Sequence, residues 1–390
     1  MRLLIIAPAF LPAYAHGGVP RSSFGLAKGL LELGHDVRVV SSDRNGSSRL
    51  DVPADCFVDY QGLTVCYCTA SAGSYLYSRT AKSILSEELA KSDCVLHQGT
   101  TWTHFGLLGA QWARRKTKRP YIIWPRGVLA PAALAISPIR KKIYWSLCMR
   151  NWYRRAWAIV ATTAAEVEQI TDLGINNRIE VIPNGVDISG LIDGASRAEL
   201  QLRYKELENR HIILALGRLC PIKGLEHLLE AFSLVQRQFN QTVLVIAGPD
   251  ENGYAGDLKK QAQALGLNGS VVFTGRVEGR DKVGLLRAAE VFAMPSDSES
   301  FGMSAAEAAA CGLPVVLTPQ CGIAPAIVQA QAGIAVSQEA EQIAQAINTL
   351  LADEQLRLSM GQNGRQLIER DFSWQSTAKR THELLRDLVG

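Results

Sequence analysis

The 390-residue chain is 47% hydrophobic and 20% charged, a composition that excludes disordered and fibrous classes and provides for about two ordinary domains. No apolar run reaches the ~18 residues of a membrane span, and the eight cysteines show neither a C-x-x-C pair nor zinc-ligand spacing, which argues against a disulfide framework or a metal site. The net charge of +4 is uneven: residues 1–180 carry 22 Lys/Arg against 13 Asp/Glu and the remainder 19 against 24, so the first half suits an anionic partner.

Residues 3–7 form an unbroken apolar strand, the pattern of a strand covered on both faces. Pro8 and Pro12 interrupt the apolar stretch that follows, so it reads as strand and loop rather than a cleavable leader. Gly17-Gly18 precede a helix over 21–33, stopped by Gly34, and a second strand over 36–41 completes a βαβ unit. Further short strands are expected at 63–68, 94–97, 121–124, 159–162 and 180–182.

The second half repeats the rhythm. Strands at 212–216, 243–247, 271–274, 291–294 and 315–317 alternate with helices at 225–239, 257–265, 282–289 and 304–310. Such alternation predicts two doubly wound parallel α/β domains, with the boundary near 183–202 and a ligand at the carboxyl ends of the strands. A last helix, 373–388, has no following strand and is expected to pack back on the first domain.

The chemistry concentrates in 297–316, after the strand ending at Met294-Pro295. Glu299 lies in the loop, Gly302 permits close backbone approach, and Met303 and Ser304 open a helix whose free N–H groups suit a diphosphate. Two carboxylates facing a phosphate would repel it, so Glu299 and Glu307 suit hydroxyl groups instead. Arg218 and Lys223, in Gly217-Arg218-Leu219-Cys220-Pro221-Ile222-Lys223-Gly224, place two cations at the edge of the same sheet, where they would neutralise a leaving diphosphate.

Together these segments resemble the family 4 retaining glycosyltransferases of GT-B fold. The resemblance is carried by the Glu299–Glu307 pair (E-x7-E), the Gly217-Arg218 and Lys223-Gly224 segment, Pro183-Asn184-Gly185-Val186-Asp187, Ala247-Gly248-Pro249 and Phe273-Thr274-Gly275, with Gly17-Gly18 adding a match in the first domain. It implies two Rossmann-like doubly wound parallel-sheet domains facing a central cleft. Residues 1–185 would bind the acceptor and 186–372 the nucleotide sugar, with 373–390 returning to the first domain. Glu299 would hold the transferred sugar, Glu307 the ribose, and Arg218 and Lys223 the diphosphate, helped by the backbone of Gly302, Met303 and Ser304. Gly17 and Gly18 would let the first domain close on phosphate or acceptor, and Asn184 and Gly248 join the substrate-binding set. No metal and no cofactor beyond the nucleotide-sugar co-substrate is implied.

One departure is plain. Family members often carry His-Gly in the first domain, where this chain has Arg126-Gly127. Arginine cannot act as a base at neutral pH, although it can steady phosphate or a sugar oxygen, so Arg126 joins the catalytic set in that role. His97, at the end of a strand, is a second first-domain candidate, with a hydrogen-bonded structural histidine as the alternative.

The basic excess gathers in 114–119 and 137–157, where cations mix with Tyr144, Trp145, Trp152, Tyr153 and Trp157. Basic and aromatic residues together suit an anionic membrane surface. A helix partly buried in the first domain with a solvated rim is the alternative. The reading is a UDP- or GDP-hexose transferase acting on a saccharide or lipid-linked saccharide for exopolysaccharide, capsule or lipopolysaccharide. It would work in the cytoplasm or peripherally on the inner membrane face. A catalytically weak sugar-nucleotide binder, an epimerase or a phosphorylase would share the fold. A dehydrogenase is disfavoured because no G-x-G-x-x-G follows the first strand, and no motif supports nucleic-acid binding.

Overall fold

The computed structural model describes residues 1–114 and 119–389; most of the basic run at 114–119 therefore lies outside the described residues. The chain forms two compact units, one of Met1–Gly185 with Trp374–Gly390 and the other of Val186–Ser373.

The first unit holds an eight-stranded sheet. Its strands are β1 (Arg2–Ile6), β2 (Asp36–Ser42), β3 (Phe57–Tyr60), β4 (Leu63–Cys68), β5 (Cys94–Gln98), β6 (Tyr121–Trp124), β7 (Ala158–Ala161) and β8 (Ile179–Val181). They lie in the order β8-β7-β6-β5-β1-β2-β4-β3. All pairs are parallel except β3, which folds back antiparallel on β4. The antiparallel strand escaped the sequence reading because its residues are only partly buried and carry no continuous apolar run. Strand β1 shows why the sheet is covered twice: Leu4 and Ile6 enter one core and Leu3 and Ile5 the other.

Helix α1 (Gly18–Glu32) begins three residues earlier than its apolar pattern suggests, with Gly17 as its N-cap at φ 72°. The chain's last helix packs against it. A side chain at Gly25 or Gly185 would overlap the Trp374 ring, and a Cβ on Gly29 would stand 2.7 Å from Ala378 Cβ. Small residues thus cut a slot that admits an indole, which explains how a terminal helix with no strand of its own is held.

The second unit is a six-stranded, fully parallel sheet. Its strands are β9 (His211–Leu216), β10 (Thr242–Ala247), β11 (Val271–Gly275), β12 (Val291–Met294), β13 (Val315–Leu317) and β14 (Gly333–Ala335). The order is β11-β10-β9-β12-β13-β14. Helices α2 (Leu225–Gln238), α3 (Gly279–Ala288) and α4 (Met303–Ala310) follow β9, β11 and β12. Helix α5 (Trp374–Val389) is the terminal helix of the first unit. The strand order reverses between β9 and β12, so the loops leaving those two strands diverge and open a crevice at their carboxyl ends.

Candidate active site

The loops after β9 and β12 border this crevice, and their backbones hydrogen-bond at one point across it. Gly217 N–H donates to Ala247 O at 3.0 Å and Gly248 N–H to Gly275 O at 2.8 Å, lacing the ends of β9, β10 and β11 together. Gly248 sits at φ 151°, and a Cβ there would overlap the carbonyl of Gly217. Its place in the motif is therefore a backbone requirement. The loop after β9 makes one short turn at Pro221–Lys223, and its Ile222 carbonyl accepts from Asp297 N–H at 2.9 Å.

This turn aims Lys223 at the loop after β12. Its Nζ forms an ion pair with Glu299 Oε1, the two side chains being 16% and 20% exposed. The Glu299 backbone is fixed independently: its N–H donates to Gln320 O at 3.2 Å and its carbonyl accepts from Gly322 N–H at 3.0 Å. Burial pushes the Lys223 ammonium below its usual value, and the charge of Arg218 adds to the effect. Lys223 nevertheless keeps a carboxylate in hand.

Gly302, at φ 99°, is the N-cap of α4. A Cβ there would stand 3.0 Å from Met294 Cε, the movable end of a flexible side chain, so it is the backbone conformation that selects glycine. The first intrahelical bond runs from Ala306 N–H to Gly302 O. The N–H groups of Met303, Ser304 and Ala305 therefore have no intrahelical acceptor, and the positive end of the helix dipole lies beside Glu299 and Lys223. Ser304 Oγ lies 3.6 Å from Met294 Sδ. A small cavity of about 20 Å³ at the ends of β9, β10 and β12 is bordered by Gly217, Arg218, Lys223 and Ser296.

Arg218 points from this crevice toward Glu251, 2.8 Å away. The two side chains are 59% and 42% exposed, so the pair contributes at most about 1 kcal/mol and does not prevent Arg218 from turning to an anion. Glu307 lies one turn into α4, where it pairs with Lys282 of α3 at 2.6 Å. The sequence reading missed Lys282. The only signal was its position in the first turn of a helix after a strand that ends in glycine. Ser296 was also missed: it is buried and its Oγ has no hydrogen-bond partner among the described residues.

In the first unit, Gly17 and Gly18 open α1 into free space. Gly99 follows β5, and a Cβ there would stand 3.4 Å from Val19 and 4.0 Å from Arg126 Cβ. The beginnings of α1, the end of β5 and Arg126 thus share one edge. Arg126 adopts φ 59°. Its Nε and Nη2 donate to Gln98 Oε1 at 2.9 and 2.7 Å, and its Nη1 donates to Asn184 Oδ1. Two predicted residues, Arg126 and Asn184, are therefore brought together, with Gln98 as an unpredicted third. Burial pushes the Arg126 guanidinium down to about 10, with Glu166 opposing, so it is a cation at neutral pH. Glu166 is 2% exposed and accepts from Gly127 N–H at 2.7 Å, Thr162 N–H at 2.7 Å and Thr162 Oγ1 at 2.8 Å, which locks the Arg126 turn to the end of β7.

His97 corrects the expectation placed on it. It is fully buried, packed edge-on to Trp152 with ring centroids 4.8 Å apart, and burial holds its ring down to about 3. Neither ring nitrogen has a hydrogen-bond partner among the described residues, and its full burial makes it a structural core residue rather than a substrate contact. The helical run 138–154 is corrected too. Trp152 and Tyr153 are core residues, and the outward stripe is aliphatic: Ile139, Ile143 and Leu147 are 75%, 55% and 68% exposed. A five-residue π-helical segment at Trp145–Met149 joins the two α-helical parts of this run, so simple helical spacing could not assign its faces.

The family profile described as "Glycosyl transferases group 1" matches residues 196–367, and "Glycosyltransferase Family 4" matches 16–189. Among curated relatives, the D-inositol 3-phosphate glycosyltransferase of Corynebacterium urealyticum is 30% identical over 92% of this chain and 83% of its own. A GDP-mannose-dependent alpha-(1-6)-phosphatidylinositol monomannoside mannosyltransferase of Mycobacterium tuberculosis is 32% identical over 53% of this chain and 56% of its own. Among solved structures, HepE of Anabaena in complex with UDP and glucose aligns over 100% of both chains, with a TM-score of 0.77 at 20% identity. Sucrose-phosphate synthase of Thermosynechococcus elongatus aligns over 100% of this chain and 99% of its own, with a TM-score of 0.76 at 19% identity.

Proposed function

The chain belongs to the family 4 glycosyltransferases of GT-B fold, and from that premise we propose that it moves a hexose from a UDP- or GDP-sugar to a saccharide acceptor with retention of configuration. The observation that carries the reading is the Lys223–Glu299 pair at the strand reversal, beside the free N–H groups of α4. A diphosphate laid on the α4 N-terminus would draw the Lys223 ammonium and Arg218, while sugar hydroxyls donate to the Glu299 carboxylate. The leaving phosphate would take the acceptor's proton on the same face, leaving Glu299 to position the sugar, unlike a glycosidase nucleophile. The chemistry asks for no metal, because cations and helix N–H groups supply the charge that the leaving diphosphate needs. The donor reading agrees with UDP and glucose bound by HepE and GDP-mannose used by the mycobacterial relative.

Arg126 is charged and engaged with Gln98 and Asn184, so it would steady an acceptor oxygen or phosphate rather than accept a proton. That engagement also favours a second reading, a sugar-nucleotide binder with weak turnover. We read the acceptor as a lipid-linked saccharide of cell-surface polysaccharide synthesis, met at an anionic membrane on its cytoplasmic side. Exposed Arg140, Lys142, Arg150 and Arg154 flank the outward Ile139, Ile143 and Leu147. No Asp or Glu occurs between Asp93 and Glu166. Among the described residues no helix is long and apolar enough to cross a membrane, so contact would be at the surface. The test is protection from thermal unfolding by UDP-, GDP- and ADP-sugars, followed by transfer and hydrolysis assays with the best one. Binding without sugar release would favour the binder, a changed sugar epimer would indicate an epimerase, and no protection by any donor would refute the site.

A further inference from the structure

Glu307 has a partner that no motif signalled. Lys282 Nζ stands 2.6 Å from Glu307 Oε2, and the two side chains are only 15% and 17% exposed. Lys282 is in the first turn of α3 and Glu307 in the second turn of α4. Both helices start from carboxyl ends of the sheet, and their apolar faces (Leu285 and Leu286, Ala305 and Ala306) enter one core. The pair therefore bridges two neighbouring helices of one layer, just below the edge where the donor is read to bind.

A glutamate side chain on a helix has several rotamers, and holding one of them for a ligand costs rotamer entropy at the moment of binding. A lysine that takes Oε2 from a neighbouring rigid element removes that freedom beforehand. It leaves Oε1 to accept, and a vicinal diol offers two donors to such a fixed carboxylate. The ammonium also keeps the local charge balanced next to a site that must receive a diphosphate; an unpaired carboxylate there would repel it.

We infer that Lys282 is a positioning residue for nucleotide recognition: it holds Glu307 so that the carboxylate reads the ribose hydroxyls of the donor. The inference rests on the donor-site reading above. It makes ribose discrimination, rather than binding as such, the quantity that depends on Lys282.

The test is calorimetric titration of the full chain with UDP and 2′,3′-dideoxy-UDP, and with the corresponding guanosine and adenosine pairs, for wild type, Lys282→Met, Lys282→Arg and Glu307→Gln. Wild type should prefer the ribonucleotide, and Glu307→Gln should abolish that preference. Lys282→Met should narrow the preference about tenfold while leaving dideoxynucleotide affinity unchanged, and Lys282→Arg should keep most of it. Thermal unfolding verifies that each variant is folded, and Lys282→Gln replaces Lys282→Met if the methionine variant is not. With substrate, Lys282→Met should raise KM for the donor and spare kcat. A Lys282→Met chain that loses stability but keeps the wild-type ratio, or that weakens both nucleotides equally, overturns the inference while the donor site stands. Failure of wild type to bind any of the ribonucleotides overturns the donor-site reading and this inference with it.

Discussion

The Lys223–Glu299 pair lends itself to a double-mutant cycle that separates structure from chemistry. Its side chains are 16% and 20% exposed, which places it between a solvated pair, worth about 0–1 kcal/mol, and a fully buried one, whose disruption costs about 3–5 kcal/mol. Glu299→Gln keeps the shape and one acceptor oxygen but strands the ammonium, so a loss of about 2 kcal/mol is expected. For a unit of this size that corresponds to a Tm decrease of about 4–8 °C. Lys223→Met should destabilise for the same reason. The double variant should be more stable than the sum of the single changes implies, with a coupling of about 1–2 kcal/mol. Turnover behaves differently: both single variants and the double variant should lose about 10²-fold or more in kcat with the best sugar donor.

The cycle has a pH signature. Burial already holds Lys223 below its usual value, and removing Glu299 lowers it further. Between that depressed value and the unfolded lysine value of about 10.4, the unfolded chain binds more protons, so stability rises with pH. The deficit of Glu299→Gln should accordingly shrink as pH is raised from neutral toward 10. Thermal melts across pH, combined with donor turnover, measure all of this. Full activity in Glu299→Gln would refute the site, and strictly additive single-variant losses would refute the pair.

Other outcomes follow from the same structure. His97, held at about 3 by burial, binds its proton less readily folded than unfolded, so its contribution to stability is complete above the unfolded value of about 6.5 and is lost as pH falls. Acid should cost up to about 1.4 kcal/mol per pH unit below that value, and His97→Phe should flatten this limb in melts from pH 7 to 5. Gly248→Ala should destabilise by about 3 kcal/mol or more, since its Cβ meets the Gly217 carbonyl and φ is unsuited to a side chain; a melt within 2 °C of wild type would contradict that. Replacing Ile139, Ile143 and Leu147 by Asp should abolish flotation with anionic vesicles while sparing donor binding, and unchanged flotation would count against the membrane reading. Trp374→Ala should cost about 2–4 kcal/mol by emptying the slot beside Gly25, Gly29 and Gly185, read from denaturant midpoints.

Much of this fold is legible in the sequence because its signals are local. Apolar runs at Leu3 to Ile6 and Ile212 to Leu214 declare strands covered on both faces, and alternation with amphipathic helices declares parallel winding. The short strands β3 and β14 were less visible because partial burial and a three-residue length leave little pattern. Glu299, Gly302, Arg218 and Lys223 stand out because each lies between a predictable strand end and a helix start, and Glu307 stands out by its E-x7-E spacing from Glu299.

What the sequence could not determine is which of these groups meet. Lys223 reaches Glu299 because β9 and β12 are neighbours although 76 residues separate the pair. Lys282 reaches Glu307 because α3 and α4 share one layer of the sheet. The same is true where the two disagree: His97 ends a strand, as a ligand-binding histidine would, but Trp152 and Tyr121 close over it. The stripe Ile139, Ile143 and Leu147 has the spacing of a buried face, yet it faces outward. Periodicity records that a helix has an apolar side and the strand ends record where a ligand can sit. The partner of each side chain depends on strand order and layer assignment, which arise from contacts distant in sequence, and these only the tertiary structure decided.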